Sequence, residues 1–593
     1  MKMKFYSPLI AEFFPDEPDW EGKSDNEYEG CPLDGHDLLQ YADKLAMACG
    51  SVHLLSVAAK ETRHRANSAD AWIEYDFEAQ QGQTITLEKL TVYTDSLDMD
   101  KTAMIPFVET ELTAFAAEGY DKEFSAHFWE TADIRVDGDV PLQQGLRFNL
   151  YHIMQASGRD GKTGLGAKGL SGEGYEGHFF WDTEMYALPV FVYTQPELAR
   201  SLLDYRYNTL NQARARARVL GHPIGALYPW RTINGEEAST YFPPGTAQYH
   251  INADVAYAFQ LYVSVTGDID YLADKAAEVL CETARVWADV GCFAEGRNGK
   301  YCICSVTGPD EYTAFVDNNF YTNLMAQQNL YAAVQALETL KEKRPEEYTK
   351  LVEKIHIAPE EPAQWKKTAD EMYFAYDEKR QVYLQDDSFL MRKPWDDSKI
   401  PPEKRHLLYE NYHPLFLYRQ RMAKQADTIM GMMVYSSLFT DEELARNYDF
   451  YQGVTLHHSS LSTCICGIVA SRIGRHKDAY NYFAQSARMD LDDYHDNFYA
   501  GIHAANMAGT WQSIVFGFAG LRLVKDVPEF KFSIPTEWQG YHFTVKIKDS
   551  VVAVDVLPEG WTVTLQSGNA VEFLVDGVSH VLTEKGESCH EAL

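Results

Sequence analysis

The spacing of apolar residues changes twice along this 593-residue chain, and the change restricts the fold more than any single motif does. From about residue 145 to about 520 the spacing is helical. Leu202, Leu203, Leu210 and Ala213 follow Pro196 and run on to Gly221. Leu324, Leu330, Val334, Leu337 and Leu340 lead into Lys341-Glu342-Lys343-Arg344. Thr440-Asp441-Glu442-Glu443 before Leu444 is a capping-box pattern. On either side the apolar residues alternate, as in Ala71-Trp72-Ile73-Glu74-Tyr75-Asp76-Phe77, Ile85-Thr86-Leu87-Glu88-Lys89-Leu90-Thr91-Val92-Tyr93-Thr94 and Tyr541-His542-Phe543-Thr544-Val545-Lys546-Ile547. Residues 132–139 read as a short strand and turn. These patterns predict β-structure over residues 1–100, a helical linker over 101–144, a helical toroid over 145–520 and a small C-terminal β-sandwich over 521–593. A helical solenoid is the rival for the middle region, but no short internal repeat is present.

The formal net charge is −34, from 53 Lys and Arg against 87 Asp and Glu. A field of that sign repels nucleic acid and anionic membranes. It also means that any phosphate site must be built from local donors such as backbone N–H groups and a histidine. Nine cysteines are too few, and oddly numbered, for a disulfide framework. Cys302-x-Cys304 and Cys464-x-Cys466 fit zinc poorly, so no metal is expected. The N-terminal segment has no long apolar run, and no stretch reaches membrane-spanning length, so a cytoplasmic location is expected.

Five polar segments interrupt the helical region. Residues 172–184 combine glycines with Trp181 and Asp182, a ring face and a hydroxyl acceptor, although a plain loop entering a helix explains them as well. Residues 228–237 and 245–254 crowd hydrogen-bonding groups around Trp230 and Arg231. A polyol would match them, whereas Glu236 and Glu237 suit a solvated loop. Gly308-Pro309-Asp310-Glu311-Tyr312 precedes Asp317-Asn318-Asn319 and an apolar helix. Crowded carboxylates can raise a pKa, as a general acid requires, while Asp317 or Asn318 serves equally well as a helix cap. Lys424-Gln425-Ala426-Asp427 is the fourth segment. The fifth, Leu456-His457-His458-Ser459-Ser460-Leu461-Ser462, offers N–H and O–H donors for an oxyanion. A serine hydrolase is set aside because no G-x-S-x-G elbow occurs.

In this order the five segments resemble glycoside hydrolase family 65, the inverting α-glucoside phosphorylases, from about residue 70 to the C-terminus. The resemblance implies an (α/α)6 barrel flanked by a shortened N-terminal β-sandwich and a small C-terminal β-sandwich. It implies Glu311 as the general acid and Trp181, Asp182, Lys424 and Gln425 as contacts to the glucosyl unit. His457, Ser459 and Ser460 form the implied phosphate cradle, and Trp230 and Arg231 join the substrate residues. Residues 1–70 match the family poorly, and the first part of its N-terminal domain is expected to be missing. The implied substrates are an α-glucoside disaccharide and inorganic phosphate, with no organic cofactor. A homodimer is the family tendency. A hydrolase of the same family and a silent glucoside-binding protein are the alternatives. The hydrolase would want a carboxylate where His457-His458-Ser459-Ser460 stands, because water needs a base and phosphate does not.

Overall fold

The computed structural model describes residues 3–5, 11–13, 47–66, 71–96, 99–118, 128–239, 243–396, 398, 400 and 408–593. The chain forms two compact units that divide between His127 and Phe128. In the first, β1 (Met3–Phe5), β5 (Ala71–Asp76) and β4 (Glu61–Ala66) make one antiparallel sheet. A second sheet is made by β2 (Ala11–Phe13), β3 (Met47–Leu55) and β6 (Leu87–Asp95). Helix α1 (Lys101–Glu118) packs Met104 and Val108 against Ala48 and Val92 of that sheet. The rest of the N-terminal β-structure expected over 1–100, and residues 119–127 of the expected linker, lie outside the described residues.

In the second unit, helices alternate between an outer and an inner layer. The inner helices are α3 (Leu188–Thr194), α6 (His250–Thr266), α8 (Phe320–Lys343), α11 (Thr428–Val434), α13 (Ser462–Arg472) and α15 (Ala504–Gln512). Outside them lie α2 (Val140–Ala156), α4 (Pro196–Asn208), α5 (Leu210–Val219), α7 (Ala277–Val290), α9 (Pro345–Ile355), α10 (Glu361–Asp370), α12 (Asp441–Gln452) and α14 (His476–Arg488). Each inner helix packs on the next and the last returns to the first, closing an (α/α)6 barrel. The inner helices are buried nearly all round, as their apolar sequences require; all seven residues of α3 are buried. The outer ones are amphipathic. Thr440 and Glu443 do form the capping box of α12, and the run that begins at Pro196 breaks at Thr209 into α4 and α5.

The cap of α8 differs from expectation. Asn319, rather than Asp317 or Asn318, accepts the N–H of Thr322 at 2.8 Å. Asp317 instead accepts the N–H of Ser305, and Asn318 accepts that of Ile303. The short strand expected near 132–139 is β7 (Arg135–Asp137), and it is no part of a linker. It pairs antiparallel with β10 (Gly540–Ile547), Val136 opposite Tyr541, as the edge of a C-terminal sheet. That sheet runs β15 (Ser588–Glu591), β12 (Gly560–Ser567), β11 (Ser550–Leu557), β10, β7. A four-stranded sheet of β8 (Arg522–Val524), β9 (Val527–Phe530), β13 (Val571–Val575) and β14 (Val578–Leu582) accompanies it. Every cysteine among the described residues is free, and no described group of His, Cys, Asp and Glu is arranged to hold a metal. No described helix is long and apolar enough to cross a membrane.

Candidate active site

Alternation of inner and outer helices makes all the inner helices run the same way, so their N-termini share one mouth of the barrel. Four of the five polar segments end at such a terminus. Asp182 precedes the π-turn Thr183–Ala187 that leads into α3, His250 opens α6, Asn319 caps α8 and Asp427 precedes α11. The fifth, with Ser459 and Ser460, lies just before α13. Helix N-termini carry partial positive charge and free N–H groups. The mouth can therefore attract an anion although the whole chain is strongly negative.

Glu311 lies within this mouth, its side chain 20% exposed. Each carboxylate oxygen faces a donor. Lys424 Nζ donates to Oε2 at 2.6 Å, and Gln248 Nε2 donates to Oε1 at 3.3 Å. The Tyr409 hydroxyl donates to the Glu311 carbonyl. Neighbouring Asp310 is fully buried and accepts from Lys424 N at 2.7 Å, Gln385 Nε2 at 2.8 Å and Tyr312 N at 3.1 Å. Burial pushes its pKa up to about 6. Asp310 thus anchors the Lys424 backbone beside Glu311. Gly308 explains the start of the segment: a Cβ there would stand 2.4 Å from both Asn319 Nδ2 and Asp427 Oδ2.

Behind Gln248 runs a buried relay. His250 Nε2 meets Gln248 Oε1 at 3.1 Å, His250 Nδ1 meets Asp254 Oδ2 at 2.7 Å, and the Tyr321 hydroxyl donates to Asp254 Oδ1 at 2.8 Å. Since the Gln248 amide N–H points at Glu311, its oxygen faces the ring, and His250 Nε2 must carry the proton there. Asp254 is buried, which raises its pKa, and its 2.7 Å contact with Nδ1 holds the ring in place. The relay fixes which end of Gln248 touches Glu311.

Of the other sequence-predicted residues, Asp182 has no side-chain partner among the described residues, and burial raises its pKa to about 7. Trp181 is only 4% exposed and packs edge-on against His250 at 4.9 Å. Gln425 donates to the Pro309 carbonyl at 2.7 Å, which leaves its own carbonyl oxygen available. Trp230 meets Phe180 edge-to-face at 5.3 Å, and Arg231 donates to Glu176 and lies 3.2 Å from His178 Nδ1, joining this loop to residues 172–184. Glu237 is not solvated as expected. It accepts the N–H groups of Trp230 and Arg231 and pairs with Arg216 at 2.7 Å.

In the fifth segment, both nitrogens of His457 are engaged, Nδ1 with Ser462 Oγ at 2.8 Å and Nε2 with the Tyr482 hydroxyl at 3.1 Å. Burial and the neighbouring His458 lower its pKa to about 4, so the ring is neutral at pH 7. Ser459 Oγ accepts from Leu461 N and keeps its own proton free. The segment is stitched to the neighbours of Glu311: His458 N donates to the Lys424 carbonyl, and His458 Nδ1 lies 2.9 Å from the Tyr312 hydroxyl.

The region that carries these groups has known counterparts. A profile described as the glycosyl hydrolase family 65 central catalytic domain matches residues 147–512, and the family's C-terminal domain matches 521–582. The chain belongs to glycosyl hydrolase family 65. Over 518 residues it is 45% identical to the alpha,alpha-trehalose phosphorylase of Thermoanaerobacter brockii, covering 86% of this chain and 66% of the relative. Over 523 residues it is 35% identical to the kojibiose phosphorylase of Caldanaerobacter subterraneus subsp. tengcongensis, covering 85% and 68%. A solved structure, a putative kojibiose phosphorylase from human microbiome, matches with a TM-score of 0.79 at 28% identity, covering 93% of this chain and 76% of that one. The chain therefore spans about two thirds of the length of the trehalose phosphorylase it matches.

Within this family 65 mouth, four contributors went unassigned in the sequence. Gln248 and His250 were visible only as members of a polar loop, because nothing in their spacing shows that Glu311 lies beside them. Tyr175 and Glu176 adopt left-handed φ of 58° and 51°. Lys424, Glu311, Asp182 and Arg231 all act electrostatically on the Tyr175 hydroxyl. Strain of this kind in two successive non-glycine residues is seldom kept without a reason of function, and no sequence pattern signals it.

Proposed function

We propose that the chain catalyses inverting phosphorolysis of an α-glucosidic disaccharide, giving β-D-glucose 1-phosphate and the free acceptor. The observation that carries this reading is Glu311 beside a serine-rich helix N-terminus that holds no carboxylate, with Lys424 bonded to both segments. Glu311 protonates the glycosidic oxygen as the C1–O bond breaks. A phosphate oxygen attacks C1 from the opposite face, and the proton that phosphate loses to solvent balances the one Glu311 has given. Ser459, Ser460 and the N–H groups leading into α13 hold the phosphate. His457 braces that loop and must leave Tyr482 to reach the anion itself.

The Asp182 carboxyl group and the carbonyl of Gln425 accept glucosyl hydroxyls. Lys424 has a second task. While its ammonium holds Oε2, Glu311 is an acceptor on both oxygens, so a glucosyl hydroxyl that draws Lys424 away frees the carboxyl to carry a proton. Trp230, Arg231 and Tyr175 shape the acceptor side, with Trp181 as the packed wall behind the glucosyl unit. The higher identity to a trehalose phosphorylase than to a kojibiose phosphorylase favours trehalose as substrate.

The test is to incubate the purified chain with trehalose, kojibiose, nigerose and maltose, with and without phosphate. Glucose 1-phosphate formed only with phosphate, and fastest from trehalose, is the expected result. Glucose released without phosphate would replace this reading with hydrolysis, and no turnover with retained binding would replace it with a silent binding protein.

A further inference from the structure

The barrel has a second chamber at the opposite end. The C-terminal halves of the inner helices and the β8–β9 hairpin enclose a cavity of about 480 Å³. Tyr193 of α3, Tyr257 of α6 and Tyr435 in the turn after α11 all line it. Tyr193 is 2% exposed, yet among the described residues none of the three hydroxyls has a hydrogen-bond partner. Nor are these oxygens sealed in protein, since none is among the inaccessible unpartnered atoms. They open onto the cavity. Gln260 and Ser264, one helical turn apart on α6, add an amide and a hydroxyl that are likewise unpartnered among the described residues. Tyr257 and Tyr435 stand edge-to-face at 5.8 Å and present apolar ring surface beside their hydroxyls.

The charge pattern narrows the ligand. Arg472 is committed to Asp441 at 3.1 Å, and Arg522 to Glu529 at 2.5 Å. Lys525 and Asp526 form the hairpin tip at the rim and offset one another. The surrounding helix C-termini carry partial negative charge, which opposes an anion and welcomes hydroxyl donors. A volume near 480 Å³ falls in the range of small-molecule sites, and ring faces with a few fixed amide and hydroxyl groups suit an uncharged polyol.

We propose that this rear cavity binds a neutral mono- or disaccharide at a site separate from the catalytic mouth. Gln512 links the two chambers: its amide donates to the carbonyls of Met185 and Tyr186, while the Tyr186 hydroxyl donates to Leu461 beside the serine loop.

The test is equilibrium dialysis of the full chain carrying Glu311→Gln, with glucose and with trehalose. Two sites per chain are expected for at least one sugar. Adding Tyr257→Phe and Gln260→Leu should weaken one of them roughly tenfold or more, since two hydrogen bonds to an uncharged ligand are lost. Ser264→Trp, which fills the cavity, should remove that same site. With Glu311 intact, Tyr257→Phe and Gln260→Leu should leave kcat and KM for disaccharide and phosphate within about twofold. The absence of any site that responds to these substitutions, or displacement from that site by glucose 1-phosphate as strong as by glucose, would overturn the proposal. Dialysis reads binding without turnover, so a failure of the catalytic reading leaves this outcome legible.

Discussion

At one end of the barrel the inner helices present Asp182, Asp427 and the Asp310–Glu311–Lys424 cluster; at the other the same helices present Tyr193, Tyr257, Gln260 and Ser264. Helix direction separates the two. N-termini stabilise negative charge and supply N–H donors, so the front mouth can hold buried carboxylates and an anionic nucleophile. C-termini offer carbonyls, so the rear is lined by neutral donors. The front also stores unfavourable energy: Asp182, Asp310 and Asp427 all have pKa values raised by burial. Among the described residues that line the rear chamber, no unpaired charge is buried. Chemistry is expected where burial is costly, and passive binding where it is not.

The largest expected effect breaks only the front. Glu311→Gln should lower phosphorolysis about 10³-fold or more, the scale of a lost general acid. The thermal midpoint and the rear-site affinity should stay near those of the parent chain. Steady-state rates beside a melting curve check this, and retained turnover would remove Glu311 from the role of acid.

A smaller effect is expected one step behind it. His250→Asn removes the ring that orients Gln248, and kcat should fall roughly tenfold with KM for the disaccharide nearly unchanged. A change in KM alone, or a matching loss of folded protein, would make His250 structural rather than positioning. The pH–rate profile is the second readout. Loss of a fixed donor at Glu311 Oε1 should move the limb that reports the acid, whereas a purely structural loss would lower the profile without shifting it.

The front half of this contrast was legible in the sequence, and the reason is local. Helical periodicity marked the barrel because outer helices such as α4 and α12 bury one face only. The carboxylate cluster around Glu311 stood out because it abuts an apolar helix, and the resemblance to family 65 singled out Glu311 within it. What escaped was set by distance along the chain. The strand Arg135–Asp137 joins a sheet some four hundred residues later; His542 Nε2 reaches Asp137 at 2.9 Å across that gap. The relay from Asp254 to Glu311 is non-local too, with Gln248 and Glu311 sixty-three residues apart. The rear cavity leaves no motif, because each helix contributes only one or a few residues to it. The choice of Asn319 as cap over Asp317 or Asn318 depended on where the chain turned.

The smallest effect concerns stability and separates the two ends by pH. In the folded chain the Asp182 pKa is about 7, whereas an unfolded aspartate titrates near 4. Between those values the folded chain binds the proton more tightly, so the stability this group contributes is fully present below about pH 4 and is lost as pH rises through 7. The loss from this one group is bounded at about 4 kcal/mol. Asp182→Asn removes the titration. It should therefore raise the melting temperature by a few degrees at about pH 8 and change it little near pH 4, while impairing turnover at both. Tyr257→Phe at the rear should show no such pH dependence, because a phenol with its pKa raised by burial stays neutral throughout. An equal shift at both pH values for Asp182→Asn would mean that the front mouth does not store charge strain at this residue, and the contrast between the two ends would then rest on Asp310 and Asp427.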